Sequence, residues 1–116
     1  MEVLTYKKNG GLIWIEVSVT GTPTWYYNYQ EDQFHENDNA NNRPMKHTIG
    51  MPDELVSLTH NWLFRLGNVS NNAISVDVKI EWWQGQGSPI HTWKDTVTVK
   101  ADSGEETGSS LIRNPI

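Results

Sequence analysis

The stretch AISVDVKIEWW, residues 73–83, alternates apolar and polar side chains almost without a break. Ile74, Val76, Val78, Ile80 and Trp82 share one parity, and Ser75, Asp77, Lys79, Glu81 and Trp83 share the other. A period of two belongs to an extended strand with one buried and one wet face. Neighbouring side chains on such a strand point in opposite directions, so Trp82 is expected in the core and Trp83 outside.

The segments on either side follow the same rhythm. GQGSP, residues 85–89, breaks the chain, and TWKDTVTVKA, residues 92–101, resumes the alternation with Trp93, Val97 and Val99 on the buried side. DSGEETGSS, residues 102–110, reads as a loop, and LIRNPI, residues 111–116, as a short last strand or a tail. Upstream, MPDELVSLTHNWLFRLGN, residues 51–68, is compatible with two periods. Pro52, Asp53 and Glu54 look like a helix start, but Val56, Leu58, Trp62, Phe64 and Leu66 alternate and the segment is poor in strong helix formers, so a strand is favoured. With NVSNN as its connection, the region from 56 to 84 is expected to form a hairpin.

Near the N-terminus, VLTYKKNGGLIWIEVSVT carries Asn9-Gly10 between two extended runs, the favoured pair for a two-residue hairpin turn. That turn pairs Tyr6 with Ile13 and Leu4 with Ile15, and the apolar face continues through Val17 and Val19. WYYNYQ, residues 25–30, reads as a strand with Trp25, Tyr27 and Tyr29 on one side. Residues 30–44, QEDQFHENDNANNRP, offer only Phe34 to a core and are expected to form a long exposed loop.

Short strands of one apolar and one polar face, separated by turn signals, describe an all-β chain: a single antiparallel β-sandwich over residues 1–116. The run WLFRLGNVSNNAISVDVKIEWW, residues 62–83, resembles immunoglobulin-like and related sandwich modules in general pattern, without their cysteine–tryptophan–cysteine signature.

Composition narrows function by exclusion. Fourteen acids against nine scattered Lys and Arg give a net charge of −5, which leaves no basic stripe for nucleic acid. The absence of cysteine removes disulfides, thiolate catalysis and cysteine-held metals. No apolar run is long enough for a transmembrane segment, so the chain reads as soluble, with an extracellular origin left open. The acid-rich loop with Glu31, Asp32, Glu36 and Asp38 has oxygen ligands but not the spacing of a calcium loop, and the four histidines form no metal motif, so no cofactor is expected. His60, set in an apolar row, reads as a hydrogen-bonded half-buried imidazole. No nucleophile or phosphate-binding motif is complete, so the chain is read as a non-enzyme. Asn68-Val69-Ser70 is a glycosylation triplet expected in an accessible turn.

The surplus of aromatic side chains remains. Six tryptophans are many for 116 residues, and by parity Trp83 and Trp14 face outward. Together with Trp25, Tyr27 and Tyr29 they are the candidate ligand contacts, in a setting of Asn, Gln, Asp and Glu suited to sugar rings and hydroxyls. The expected partner is a glycan or a protein. In the alternatives the same aromatics are buried between copies in an assembly or oligomer, or meet lipid headgroups as in a membrane-acting toxin or adhesin.

Overall fold

The computed structural model describes residues 2–21, 25–31, 34–38, 45–57, 60–85 and 87–116. It is nearly all β, with strands β1 (Glu2–Tyr6), β2 (Ile13–Thr20), β3 (Trp25–Glu31), β4 (Phe34–Asp38), β5 (Met45–Gly50), β6 (Asn61–Asn68), β7 (Ile74–Gln84), β8 (His91–Val99) and β9 (Ser103–Pro115). A single 3₁₀ segment, Pro52–Ser57, precedes β6 among the described residues. The strands form a five-stranded sheet in the order β1-β9-β6-β3-β4 and a four-stranded sheet in the order β5-β2-β7-β8. All pairings are antiparallel except that of β1 with β9.

The two sheets share one core in a sandwich-like arrangement. From the four-stranded sheet come Ile13, Ile15, Val17 and Val19 on β2, Ile74, Val76, Val78, Ile80 and Trp82 on β7, and Val99 on β8; from the other come Leu4, Tyr6, Tyr29, Trp62, Phe64 and Leu66. Trp62 meets Trp82 across the gap with ring centroids 5.1 Å apart, and Trp93 reaches Phe64 at 5.9 Å. Trp82 is completely buried. At ~25 cal/mol per Å² and about 150–250 Å² per large aromatic, that one ring contributes at most about 4–6 kcal/mol.

The parities expected from the sequence hold on β1, β2, β6 and β7, but several pairings do not. Asn9-Gly10 makes no hairpin: β1 pairs in parallel with β9, whereas β2 lies in the opposite sheet between β5 and β7. The connection is fixed instead by Gln84, which accepts from Lys7 N at 2.9 Å and donates to Lys7 O and Gly11 O. Likewise β6 and β7 are not a hairpin but belong to different sheets, joined by an arch. The sequence pattern specifies which side of each strand is apolar, and two facing strands satisfy it as well as two paired ones.

Between residues 51 and 68 both readings are partly realised: Pro52 begins a short 3₁₀ turn whose Leu55 is buried, and β6 follows with Trp62, Phe64 and Leu66 inward. Within the expected loop of residues 30–44, Glu31 ends β3 and residues 34–38 form β4, while Asp32 and residues 39–44 lie outside the described residues. The largest departure is β9, which takes in all of the expected loop 102–110 except Asp102 and runs on to Pro115 through the expected last strand or tail. Its first part pairs with β6 and its last part with β1, so ladder hydrogen bonds hold it with little help from apolar side chains.

Candidate functional site

Alternation on the four-stranded sheet aligns its outward residues in rows. Across β5, β2 and β7, one row reads Thr48, Trp14, Trp83; the next, extended to β8, reads Lys46, Glu16, Glu81, Thr92. Beyond these lie Ser18, Lys79 and Lys94, and then Thr20, Asp77 and Thr96. The face thus changes along the strands from aromatic to acidic to basic to hydroxyl-bearing.

Trp14 and Trp83 are direct cross-strand partners, both partly buried, with ring centroids 5.1 Å apart and planes within 8°. Lys46 Nζ sits 5.4 Å from the Trp14 ring centroid, a cation–π contact. One face of each indole is therefore given to the other, and Trp14 is further occupied by Lys46. Trp83 Nε1 is buried and has no hydrogen-bond partner among the described residues. Lys79 Nζ lies 3.6 Å from Glu81 Oε1, and Thr96 Oγ1 donates to Asp77 Oδ1 at 2.6 Å. A depression of about 700 Å³ is lined by Ser18, Thr20, Asp77, Lys79, Lys94, Asp95 and Thr96 at the end remote from the indoles.

A second polar cluster lies in the interior. Glu31 Oε2 accepts from Tyr29 OH at 2.9 Å and is 2.6 Å from His60 Nε2, while His47 Nε2 is 2.8 Å from Oε1, an ion-pair distance without hydrogen-bond alignment. Trp82 Nε1 donates to His60 Nδ1 at 3.3 Å. An indole N–H only donates, so Nδ1 accepts, and the ring proton sits on Nε2 and is donated to Glu31. The Tyr29 hydroxyl is held far above the ordinary phenol range, first by burial and then by the charge and hydrogen bond of Glu31. Glu31 and His60 are 5% and 4% exposed, which makes this a structural tie between β3 and β6 on one side and β5 and β7 on the other. Among the described residues no group of three or more His, Asp or Glu side chains is arranged to hold a metal ion.

The structure brings Trp14 and Trp83 together on one face but separates them from the tyrosine stripe. Tyr29 is wholly buried, so it is corrected from surface contact to core residue. Trp25 and Tyr27 lie on β3 in the other sheet, and their side chains fall outside the described ones. The triplet Asn68-Val69-Ser70 is corrected too. Asn68 is 2% exposed, and its Nδ2 donates to the carbonyls of Asn72, Val99 and Lys100 while Oδ1 accepts from Ser70 N and Oγ. The Glu31 cluster escaped the sequence reading because Glu31 follows a strand and opens an acidic run; the one available signal was His60 in an apolar row.

Comparison of the chain with protein-family models, curated proteins and solved structures finds no match.

Proposed function

We propose that the protein is a non-enzymatic binding module whose contact surface is the outer face of the four-stranded sheet and whose ligand is carbohydrate. The observation that carries this reading is the stacked, partly buried Trp14–Trp83 pair on the outer face, set among Lys46, Thr48, Glu16 and Glu81. Apolar ring surface next to carboxylates, hydroxyls and an ammonium is the mixture that a sugar's CH face and hydroxyls require. Trp83 is the principal contact, because the free face of Trp14 is taken by Lys46. The reading treats residues 1–116 as one β-sandwich domain, immunoglobulin-like in the general sense of two antiparallel-dominated sheets packed face to face. A shallow face open to water favours recognition over hydrolysis, although Glu16 and Glu81 stand opposite each other on it.

A glycan array probed with the parent protein and with Trp83→Ala tests the proposal. Binding to a defined set of sugars that is lost in the variant supports it, and failure of the parent to bind any sugar overturns it. A second reading, assembly with a protein partner or another copy, draws on Val3 and Ile112, apolar cross-strand neighbours that are 49% and 52% exposed. Sedimentation showing a tight oligomer with tryptophan shielded from quencher moves the conclusion to assembly.

A further inference from the structure

β1 is an edge strand of the five-stranded sheet, paired in parallel with β9 alone. In a parallel ladder alternate residues present both main-chain groups to the same neighbour. Ile116 N donates to Tyr6 O at 2.8 Å and Lys8 N donates to Ile116 O at 3.0 Å, so the even-numbered residues of β1 face β9, and Val3 and Thr5 face away. Lys7 continues the outward set, and its N–H and C=O are held by Gln84. Among the described residues no hydrogen-bond partner meets the N–H and C=O of Val3 and Thr5, both of which are exposed.

An open edge is a template for another strand, and folded chains blunt it with charge, proline or a bulge. The edges of the four-stranded sheet are blunted in this way: β5 carries Lys46, and β8 carries Lys94 next to Asp95, which shares the inward parity of Trp93 and Val97. β1 has no lysine, no proline and an unbroken register. Its outward Val3 lies beside Ile112, and these apolar residues are 49% and 52% exposed. Glu2 Oε1, 2.8 Å from His91 Nε2, ties the start of the strand to β8. A depression of about 330 Å³, lined by Thr5, Tyr6, Lys7, Gln84, Ser88 and Ile90, leaves space beside its second half.

We infer that this edge is the contact through which two copies of the chain associate, β1 against β1 about a two-fold axis. Such an axis brings the strands together antiparallel. Centred on Leu4, the register sets Val3 opposite Thr5 of the second copy, and Thr5 opposite its Val3, and each pair exchanges both N–H···O=C bonds. Every open main-chain group of Val3 and Thr5 is then satisfied, whereas a register centred on Thr5 needs the groups of Lys7 that Gln84 holds. Glu2 falls opposite Tyr6, so like charges are not opposed. Val3 and Ile112 of both copies come to lie on one side of the joined sheets. A five-residue strand makes a small interface, so the dimer is weak and reversible. The contact is independent of the carbohydrate reading and leaves the indole face of the other sheet open; where that reading holds, pairing makes the module bivalent.

Sedimentation equilibrium and amide hydrogen exchange over micromolar to millimolar protein test the inference. The average mass is expected to rise from monomer toward dimer with concentration. At a total concentration about ten times the dissociation constant, the Val3 and Thr5 amides are expected to exchange about fivefold more slowly than in dilute protein, with no matching change at exposed Val69 in the loop between β6 and β7. Val3→Lys is expected to remain monomeric with native circular dichroism, and quenching of tryptophan in the parent to be the same in monomer and dimer. A parent that stays monomeric throughout overturns the inference. So does a dimer in which Val3 and Thr5 exchange is unchanged, one that persists in Val3→Lys, or one that shields tryptophan from quencher. None of these measurements involves a sugar, so their failure leaves the carbohydrate proposal standing, and a blank glycan array leaves this one standing.

Discussion

His60 Nε2 lies 2.6 Å from Glu31 Oε2, a hydrogen bond in which a buried imidazole donates to a buried carboxylate between the two sheets. The carboxylate also accepts from Tyr29 and faces His47, so its removal leaves several donors without a partner. Each buried donor left without its acceptor costs about 1–3 kcal/mol. Glu31→Ala is expected to lose stability on that scale, and Glu31→Gln, which keeps the shape and an acceptor oxygen, to lose less. Urea unfolding measures both; a Glu31→Ala loss below about 1 kcal/mol contradicts the tie described here.

Tyr29 makes alkaline pH a second probe. Below about pH 10 the phenol is protonated in both the folded and unfolded chain, so pH acts on neither through this group. Above that, the unfolded chain releases the proton while burial and Glu31 make the folded one retain it, so stability falls as pH rises. The slope through this residue approaches ~1.4 kcal/mol per pH unit. Comparing urea midpoints of the parent and Tyr29→Phe from pH 8 to 11 isolates the contribution, and the variant is expected to show the shallower decline.

Gly108 lies on β9 opposite Leu63, where a Cβ would come within 2.2 Å of the Trp62 carbonyl oxygen and 3.1 Å of Leu63 Cα. Backbone cannot rotate aside as a long side chain can, so any side chain here forces β6 and β9 apart. Gly108→Ala is expected to cost about 1–3 kcal/mol, against little or nothing for Gly11→Ala, where a Cβ would have no atom of the described residues beyond its chain neighbours within 4 Å. Matching thermal midpoints for the two variants would count against this pairing.

Asn68 is expected to carry no glycan in folded protein secreted from a eukaryotic host, because its side chain is buried at the end of β6 and its amide nitrogen is spent on three carbonyls. Peptide mass mapping settles it. Asn68→Ala is expected to destabilise by about 1–3 kcal/mol, the cost of leaving buried carbonyls unpaired.

How much of this was legible in the chain depends on what each feature relies upon. Burial parity is a local property, so the alternation of residues 74–83 places Trp82 inward and Trp83 outward, and Leu4, Ile15 and Phe64 follow their own strands inward. Pairing is a property of strands remote from one another, and nothing in Asn9-Gly10 records that Gln84 holds the following loop. The first part of β9 was invisible for a related reason: Ser103 to Ser110 are mostly exposed and polar, and a strand held through its backbone needs no apolar alternation. At the candidate site, outward placement of Trp14 and Trp83 could be read, but their stacking, and the opposition of Lys79 to Lys94, needed the register.

The position of β9 also bears on how the molecule reaches its native state. It bonds to β6 through Ser103–Ser110 and to β1 through Leu111–Pro115, so residues 2–6 find their partners more than a hundred positions along the chain. Until that late segment docks, the inward side of β1 has no ladder to join, and one margin of β6 stays open to pairing with other chains. Such distant closure puts folding among the slower topologies, on the order of milliseconds to seconds. Aggregation during synthesis would then be governed by how long the β6 margin waits for its cover.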